Sequence, residues 1–244
     1  MEANIELNGR KVQLDLSSPI DLSRSMKSGS GSSLAFYAPD IQIEPIQVGS
    51  FIGSTSQGSS VNTNIIKFNP HGNCTHTESV AHISSLEKPI NQVYIKPIML
   101  CYLHSVKPEL VGDDLVVKKN SIAHLNFNEM EALILRANPA SSCFSGSNPP
   151  YIDSGLCDVL VQNNIEHLLT DLPSVDKEED GGSLFAHKAF WVYDKPNIGP
   201  RLNATITELL SIPDINDGWY ALTLQVMNLE NNAAPSRPIL YPLF

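Results

Sequence analysis

Residues 70–82 read Pro70-His71-Gly72-Asn73-Cys74-Thr75-His76-Thr77-Glu78-Ser79-Val80-Ala81-His82. This stretch holds three of the seven histidines of the 244-residue chain, and one carboxylate, within twelve residues. Imidazole and carboxylate groups bind metal ions and transfer protons, and packing alone does not require so many of them close together. The stretch is therefore predicted to form an active site.

The spacing of these residues suggests how they reach one metal ion. His76, Glu78 and His82 share one parity, so an extended chain projects them from the same face. His71 has the opposite parity and points away unless the chain bends, and Gly72-Asn73 can supply a bend because both residue types enter left-handed backbone regions. Neutral imidazoles with a carboxylate suit zinc, manganese or iron(II) better than calcium or magnesium.

Each of these histidines, taken alone, has an ordinary interpretation as a hydrogen-bonded residue of the core. The three histidines together with Glu78 are not explained as ordinary core residues, because several desolvated titratable groups on one face would repel one another or stay unsatisfied. Cys74 lies inside the stretch and is expected either to be reactive or to pack beside the metal.

The stretch resembles the His-x-Gly-Thr-His-x-Asp-x-Pro-x-His signature of the cyclase-like metal hydrolases, the family of bacterial kynurenine formamidase and isatin hydrolase. Thr75-His76 matches the Thr-His pair, Glu78 takes the place of the Asp ligand, and His82 falls where the family carries its catalytic histidine. The chain departs from the signature by one extra residue between His71 and His76, and by Val80 where the family usually has proline.

Three later segments are also similar to the family. Residues 170–176 resemble its Gly-x-Asp-Thr-Pro-Ser-Val-Asp segment, His187 stands where members supply a further metal-binding histidine, and Glu208 lies in a segment like the one that carries the final Glu ligand. The interval between His187 and Glu208 is longer than in the family, with residues 193–203 as an apparent insertion. The resemblance implies a divalent metal, zinc or manganese, and a general acid/base role for His82. The metal ligands that it implies are His71, His76, Glu78, His187 and Glu208.

The hydrophobic pattern predicts many strands and few helices, hence an α/β protein. A hairpin is predicted around Asn8-Gly9, and Asp153-Ser154 is predicted to cap a helix that runs to residue 161. The predicted strands cover residues 61–68, 92–105, 131–137, 167–169 and 219–227. The resemblance implies the swivelling β/β/α fold of the cyclase family as a single domain over residues 1–244.

Composition limits the classes of partner that the chain is expected to bind. Sixteen basic against 26 acidic residues give a net charge of −10, which disfavours nucleic acid and anionic membranes and leaves a small-molecule substrate. The chain has neither a positively charged start followed by an apolar run nor a long apolar span, so a cytoplasmic location is expected. The four cysteines are far apart without a Cys-x-x-Cys pair, which indicates neither a disulfide framework nor a structural zinc site.

Two regions carry predictions about accessory features. The Gly/Ser-rich residues 26–33 are expected to be either a lid over the site or an exposed connector. The Pro-containing residues 231–244 are expected to pack on the domain or on a partner subunit. Their apolar part, residues 233–244, together with the family resemblance, suggests a homo-oligomer, a dimer or tetramer.

The reaction is inferred partly from motifs that are absent. The sequence has no Gly-x-Ser-x-Gly elbow, His-Glu-x-x-His motif, phosphate-binding loop or dinucleotide fingerprint, which leaves metal-assisted hydrolysis. The preferred hypothesis is an amide or cyclic amide hydrolase that acts on a small carbonyl compound, either an N-formyl arylamine or a ring such as isatin. The alternative is a catalytically inactive metal and small-molecule binding protein of the same fold.

Overall fold

Seventeen strands and three α-helices are found in the described part of the chain, residues 1–29, 34–85, 88–138, 143–195 and 197–244 of a computed structural model. The strands are β1 (Glu2–Leu7), β2 (Arg10–Asp15), β3 (Ile20–Asp21), β4 (Gln42–Pro45), β5 (Gln47–Val48), β6 (Phe51–Ile52), β7 (Asn64–Lys67), β8 (His76–Glu78), β9 (Met99–Ser105), β10 (Glu109–Val111), β11 (Asp114–Val117), β12 (Ala132–Arg136), β13 (Tyr151–Ile152), β14 (His167–Thr170), β15 (Thr205–Glu208), β16 (Gly218–Val226) and β17 (Ala233–Pro242). The helices are α1 (Pro70–Asn73), α2 (Ser154–Gln162) and α3 (Phe185–Trp191).

Seven of these strands close into a barrel-like sheet. Their order is β16-β9-β12-β14-β15-β8-β17, and β16 also pairs with β17, which closes the ring. Strands β9, β12, β14 and β15 run parallel to one another, whereas β8, β17 and β16 run antiparallel to their neighbours. This mixed sheet with helices packed on it confirms the predicted α/β class. The extent of the domain, residues 1–244, stays a prediction.

Alternating side chains of the ring build two cores. One set fills the interior of the barrel, and it includes Met99, Cys101, Ile134, Leu169, Leu222 and Leu240. The opposite set, including Leu133, Leu168 and Ile206, faces outward and packs against buried residues of α2 and α3. Because successive strand residues point to opposite faces, β12 and β14 contribute to both cores. The site described below lies on the outward, helix-covered face.

Several predicted elements are confirmed. The N-terminal hairpin pairs β1 with β2 through Asn8-Gly9, and both turn residues have positive φ (47° and 84°), as a two-residue turn of this kind requires. Helix α2 begins after Asp153, whose Oδ1 accepts a hydrogen bond from the Gly155 amide at 2.8 Å. The predicted strand at 92–105 starts only at Met99, because a 3₁₀ turn (Ile90–Gln92) and Pro97 occupy its first half.

None of the helices in the described part of the chain has the length and apolar character that crossing a bilayer requires.

The segment that precedes the motif differs from its prediction. A strand forms there, β7, but it is shorter than the predicted 61–68 and, within the described residues, pairs only with β4, outside the ring. All four of its residues are exposed. The motif is therefore not delivered by a strand of the main sheet, and His71 instead lies on helix α1.

The C-terminal region packs on its own domain, one of the two expected alternatives. Its residues form β17, which pairs with β16 on one side and with β8 and β3 on the other. Ala233, Ala234 and Leu240 are buried there, so they are not available as an interface. The Gly/Ser-rich segment 26–33, the predicted lid or connector, lies partly outside the described residues.

Leu240→Ala tests the structural role of β17. Its fully buried side chain belongs to the barrel interior, so we expect the free energy of unfolding to fall by about 2–5 kcal/mol. Phe244→Ala, at an exposed position two residues beyond the strand, should change it by less than about 0.5 kcal/mol. Urea denaturation measures both, and equal small effects would contradict a core role for the strand.

Candidate metal centre

The central residue of the site is Glu78, on the short strand β8 between β15 and β17. In the antiparallel pairing of β8 with β15, His76 lies opposite Glu208 and Glu78 lies opposite Ile206. Residues directly opposite in a sheet share a face, so His76, Glu78 and Glu208 all face the helix-covered side. Glu78 and His76 are completely buried, and Glu208 is buried almost as fully.

His71 reaches Glu78 because the chain turns before the strand. Asn69 caps helix α1, its Oδ1 accepting from the His71 amide at 3.0 Å, and Pro70 occupies the first turn. The His71 Nδ1 lies 3.3 Å from Glu78 Oε2, while its Nε2 donates to Asn232 Oδ1 at 3.0 Å. The bend expected at Gly72-Asn73 is thus a single helical turn.

Gly72 is required at this turn by close packing. A Cβ at this position would lie 2.3 Å from the Ala38 Cβ and 2.6 Å from the Ala35 carbonyl oxygen. Both distances are too short for a Cβ atom, and the Ala35 oxygen belongs to the backbone. The glycine therefore lets the turn that carries His71 approach residues 35–38.

His82 reaches the same centre because the strand ends at Glu78. Ser79 caps a 3₁₀ turn (Val80–His82), with its Oγ accepting from the Ala81 amide at 3.3 Å. The chain is extended only as far as Glu78 and then curls, and Val80 packs in the hydrophobic core instead of sharing the polar face. The curl brings His82 Nε2 to 3.8 Å from Glu78 Oε2.

His187 approaches from helix α3 and is oriented by a carboxylate behind it. Its Nδ1 donates to Asp176 Oδ2 at 2.5 Å, and its Nε2 lies 2.8 Å from Glu78 Oε1 and 3.8 Å from Glu208 Oε1. Asp176 also accepts from the amides of Ala186 and His187 at the start of the helix. Because Asp176 holds the proton on Nδ1, Nε2 is the nitrogen presented to the centre.

All six candidate residues therefore meet at one place. Burial by itself would raise the pKa of Glu78, but His82 and His187 hold it well below its usual value, so this residue is a carboxylate. Burial, and then repulsion from the other imidazoles, lowers the pKa of His82 to about 4 against the attraction of Glu78. For His187, burial is outweighed by Glu78 and Asp176, and its pKa is raised well above the usual range.

The donor set fits a divalent cation. The His76 Nδ1 donates to the Cys74 carbonyl at 3.0 Å, which leaves the lone pair on Nε2. This Nε2 and Glu78 Oε2 are both buried, and neither has a hydrogen-bond partner among the described residues. They lie 3.9 Å apart, with Glu208 Oε2 3.5 Å from the same nitrogen. Buried acceptors that face one another are costly unless a positive charge joins them.

The ligand atoms form two overlapping groups that share Glu78. One group is His71, His76 and Glu78, and the other is Glu78, His82 and His187; within each, the atoms lie within 4.8 Å of one another. The grouping is compatible with one ion or two, and it places His82 where it can either bind an ion or act beside one.

Two residues of the site were not identified from sequence. Asp176 orients His187, and its only sequence signal is its place at the end of the family-like segment 170–176. Asn232 accepts from His71, and nothing in the sequence relates it to a residue 161 positions away.

Cys74 is buried and burial raises the pKa of its thiol to about 12, so it packs beside the site as a neutral thiol.

A family model described as "Putative cyclase" matches residues 14–177, about two thirds of the chain. The chain belongs to the cyclase family. A comparison with curated protein sequences found no match. The cyclase-family match includes the central motif and Asp176, and it ends before His187 and Glu208.

Solved structures share the fold of this cyclase-family chain. One is described as a potential metal-dependent hydrolase with cyclase activity (TM-score 0.68, 16% identity, covering 92% of this chain and 97% of that one). Another is isatin hydrolase A from Labrenzia aggregata bound to benzyl benzoate (TM-score 0.68, 11% identity, covering 92% and 93%). A third, from Bacillus stearothermophilus, is described as a predicted metal-dependent hydrolase (TM-score 0.62, 18% identity, covering 92% and 98%).

His76→Ala tests the metal centre. The substitution removes the ligand atom whose lone pair faces both carboxylates, so we expect the purified protein to lose its divalent metal. Elemental analysis after gel filtration measures the metal content. His104→Ala, outside the centre, is the control and should stay loaded; a fully loaded His76→Ala protein would place the metal elsewhere.

Asp176→Asn tests the orientation of His187. An amide cannot reproduce the charge that holds the proton on Nδ1, so metal affinity should fall about 10- to 100-fold while the fold is kept. Asp180→Asn is the matched control in the same loop, because Asp180 accepts from Gly182 and Leu184 amides and not from His187. Competition with a chelator measures both affinities, and equal affinities would contradict the assigned role.

Proposed function

We propose that this protein is a metal-dependent hydrolase that cleaves the C–N bond of an amide or cyclic amide in a small carbonyl compound. The observation that carries the proposal is the convergence of four histidines and two glutamates on one buried centre in a chain of the cyclase family. Two of the ligand atoms, on His76 and Glu78, have no hydrogen-bond partner among the described residues.

The metal would be held by His71, His76, Glu78, His187 and Glu208. Mixed imidazole and carboxylate donors favour zinc or manganese over calcium or magnesium. Such an ion supplies Lewis acidity, which acidifies water and polarises a carbonyl group.

The surrounding protein keeps these ligands in place. The Val175 amide donates to Glu208 Oε1 at 2.7 Å, which fixes the carboxylate that faces both His76 and His187. The ring of Trp191 packs 5.4 Å from that of His187 and is fully buried. These residues form a rigid wall that excludes water on this side, so a substrate would approach the centre from the other side.

That other side is formed by His71 and His82, whose side chains are 22% and 27% exposed, against 3% or less for the remaining ligands. His82 therefore lies where an entering substrate and water would meet the centre. In the proposed reaction it accepts the proton of the attacking water and returns it to the leaving nitrogen.

The chemistry of the substrate is proposed from two lines of support. The net charge of −10 favours a small molecule over polyanionic partners. Isatin hydrolase A is among the structural neighbours, which makes cyclic amides such as isatin, and open-chain N-formyl arylamines, the first compounds to test.

A non-catalytic protein that binds metal and a small molecule is the second candidate. The observation that favours it is the group formed by Glu78, His82 and His187, within which His82 is close enough to share an ion. As a ligand, His82 would no longer be available as the general acid/base.

A substrate panel separates the two candidates. The metal-loaded protein is incubated with N-formyl arylamines, isatin-type lactams and simple esters, and ring opening or amine release is followed spectroscopically. Turnover that stops on chelation and returns with zinc or manganese supports the hydrolase. Stoichiometric metal with no hydrolysis of any compound would favour the binding protein.

His82→Ala distinguishes a general acid/base from a ligand. We expect the variant to keep its metal and to lose about 10²- to 10⁴-fold in kcat, the usual contribution of a positioned acid/base. Metal content and single-turnover rates are measured on the same preparation, with His104→Ala as the control. Loss of metal together with activity would make His82 a ligand, and a near wild-type rate would exclude it from the reaction.

A further inference from the structure

A second cleft lies apart from the metal centre, between the N-terminal hairpin and the loop at residues 124–130. It encloses about 430 Å³, and none of the candidate metal ligands lines it. Small-molecule sites in proteins usually enclose about 300–1,000 Å³, so the cleft is large enough for a small organic ligand.

Two aromatic residues of the barrel line the cleft. Tyr102 on β9 lies directly opposite Trp219 on β16 in the antiparallel pairing of these strands, so the two side chains share one face of the sheet. Their rings meet edge to face, with centroids 5.3 Å apart and an interplanar angle of 83°. The cleft therefore has a rigid aromatic floor.

Hydrogen bonds hold the sides of the cleft in position. The Asn8 Nδ2, in the hairpin turn, donates to the Glu129 carbonyl oxygen at 3.0 Å, which joins the hairpin to the loop. Within the loop, the Asn128 amide donates to Asn126 Oδ1 at 3.0 Å. The cleft is thus formed before any ligand enters it, which lowers the entropic cost of binding.

Arg10 gives the cleft a positive charge that the protein does not neutralise. Its guanidinium carbon lies 5.1 Å from the centroid of the Trp219 ring. Among the described residues this guanidinium has neither a hydrogen bond nor an ion pair, although the chain has 26 acidic against 16 basic residues. A guanidinium is always charged and can only donate hydrogen bonds, so the cleft favours a ligand with negatively charged acceptor atoms.

The aromatic floor adds two further donors. Within the described structure the Trp219 Nε1 and the Tyr102 hydroxyl have no protein partner, and the buried atoms that lack one belong to other residues. Both groups are therefore open to solvent. An indole N–H only donates and a phenol readily does so, which makes the cleft rich in donors beside aromatic surfaces.

We propose that this cleft binds an aromatic carboxylate, with the ring of the ligand against Tyr102 and Trp219 and its carboxylate on Arg10. Guanidinium groups pair with carboxylates through two parallel hydrogen bonds. Glu129 also lines the cleft, and its negative charge disfavours a second carboxylate on the ligand. The proposal does not depend on the hydrolase function, because it uses none of the metal-centre residues.

The two tryptophans of the chain allow a direct test. Trp219 lines the cleft, whereas Trp191 packs beside His187 of the metal centre and donates from Nε1 to the Ala204 carbonyl at 2.9 Å. Benzoate is titrated into the ¹⁵N-labelled full-length protein with zinc present, and the two indole N–H signals are followed by NMR. The Trp219→Phe variant identifies which signal belongs to which residue.

A saturable shift of the Trp219 signal supports the proposal. Absence of such a shift, or a shift confined to the Trp191 signal, would overturn it. Benzamide has the same ring without the charge, so it should bind at the Trp219 cleft at least about tenfold more weakly than benzoate. Equal binding of the two compounds to the wild-type protein would exclude recognition of the carboxylate.

The Arg10→Gln variant tests the assigned cation. Benzoate binding should weaken at least about tenfold, because a charge-assisted pair is lost. Lys11→Gln is the matched control, since it removes the same charge from the next residue of β2, which does not line the cleft, and it should bind benzoate like the wild type. Circular dichroism should show all variants folded; wild-type binding by Arg10→Gln, or equal weakening in both variants, would contradict the proposal.

Discussion

The buried charge of Glu78 is the constraint on which the site depends. A carboxylate that is completely removed from water costs several kcal/mol unless positive charge and hydrogen bonds compensate for it. In this protein three imidazoles approach the carboxylate from three directions, since His71 lies on a helical turn, His82 on a 3₁₀ turn and His187 on helix α3. Each of these three histidines lies within a few residues of one end of the turn or helix that carries it.

The closed sheet supplies the geometry that those turns require. Strand β8 has only three residues, and it is held on both sides, by β15 and by β17. That pairing fixes His76 opposite Glu208 and leaves little freedom for either side chain. Closure of the ring needs β17, so the last strand of the chain supports a site whose ligands begin at residue 71. The geometry of the site therefore depends on the strand pairing of the barrel.

Residues 42–67 contrast with the rest of the chain. The ring buries its apolar residues on both of its faces, whereas residues 42–67 expose several large apolar side chains and are joined by backbone hydrogen bonds.

Local sequence determined what local physics can determine. The Asn8-Gly9 turn, the Asp153 cap and the strands at 132–136 and 218–226 follow from propensities that depend on neighbouring residues. The motif at residues 70–82 also indicated metal binding and proton transfer, because imidazoles and a carboxylate at that density have few structural uses. Only the tertiary structure placed Asp176 behind His187 and Asn232 behind His71, since both contacts join distant segments.

Strand β17 shows the same division most clearly. Its three prolines, at positions 235, 238 and 242, argue against a central strand when the sequence is considered alone, because proline cannot donate to a ladder. The buried packing of Ala233, Ala234 and Leu240, together with neighbours on both sides, outweighs that preference. Sequence determined which groups carry the chemistry, whereas strand order and ring closure decided their distances, because those depend on pairings between residues far apart in the chain.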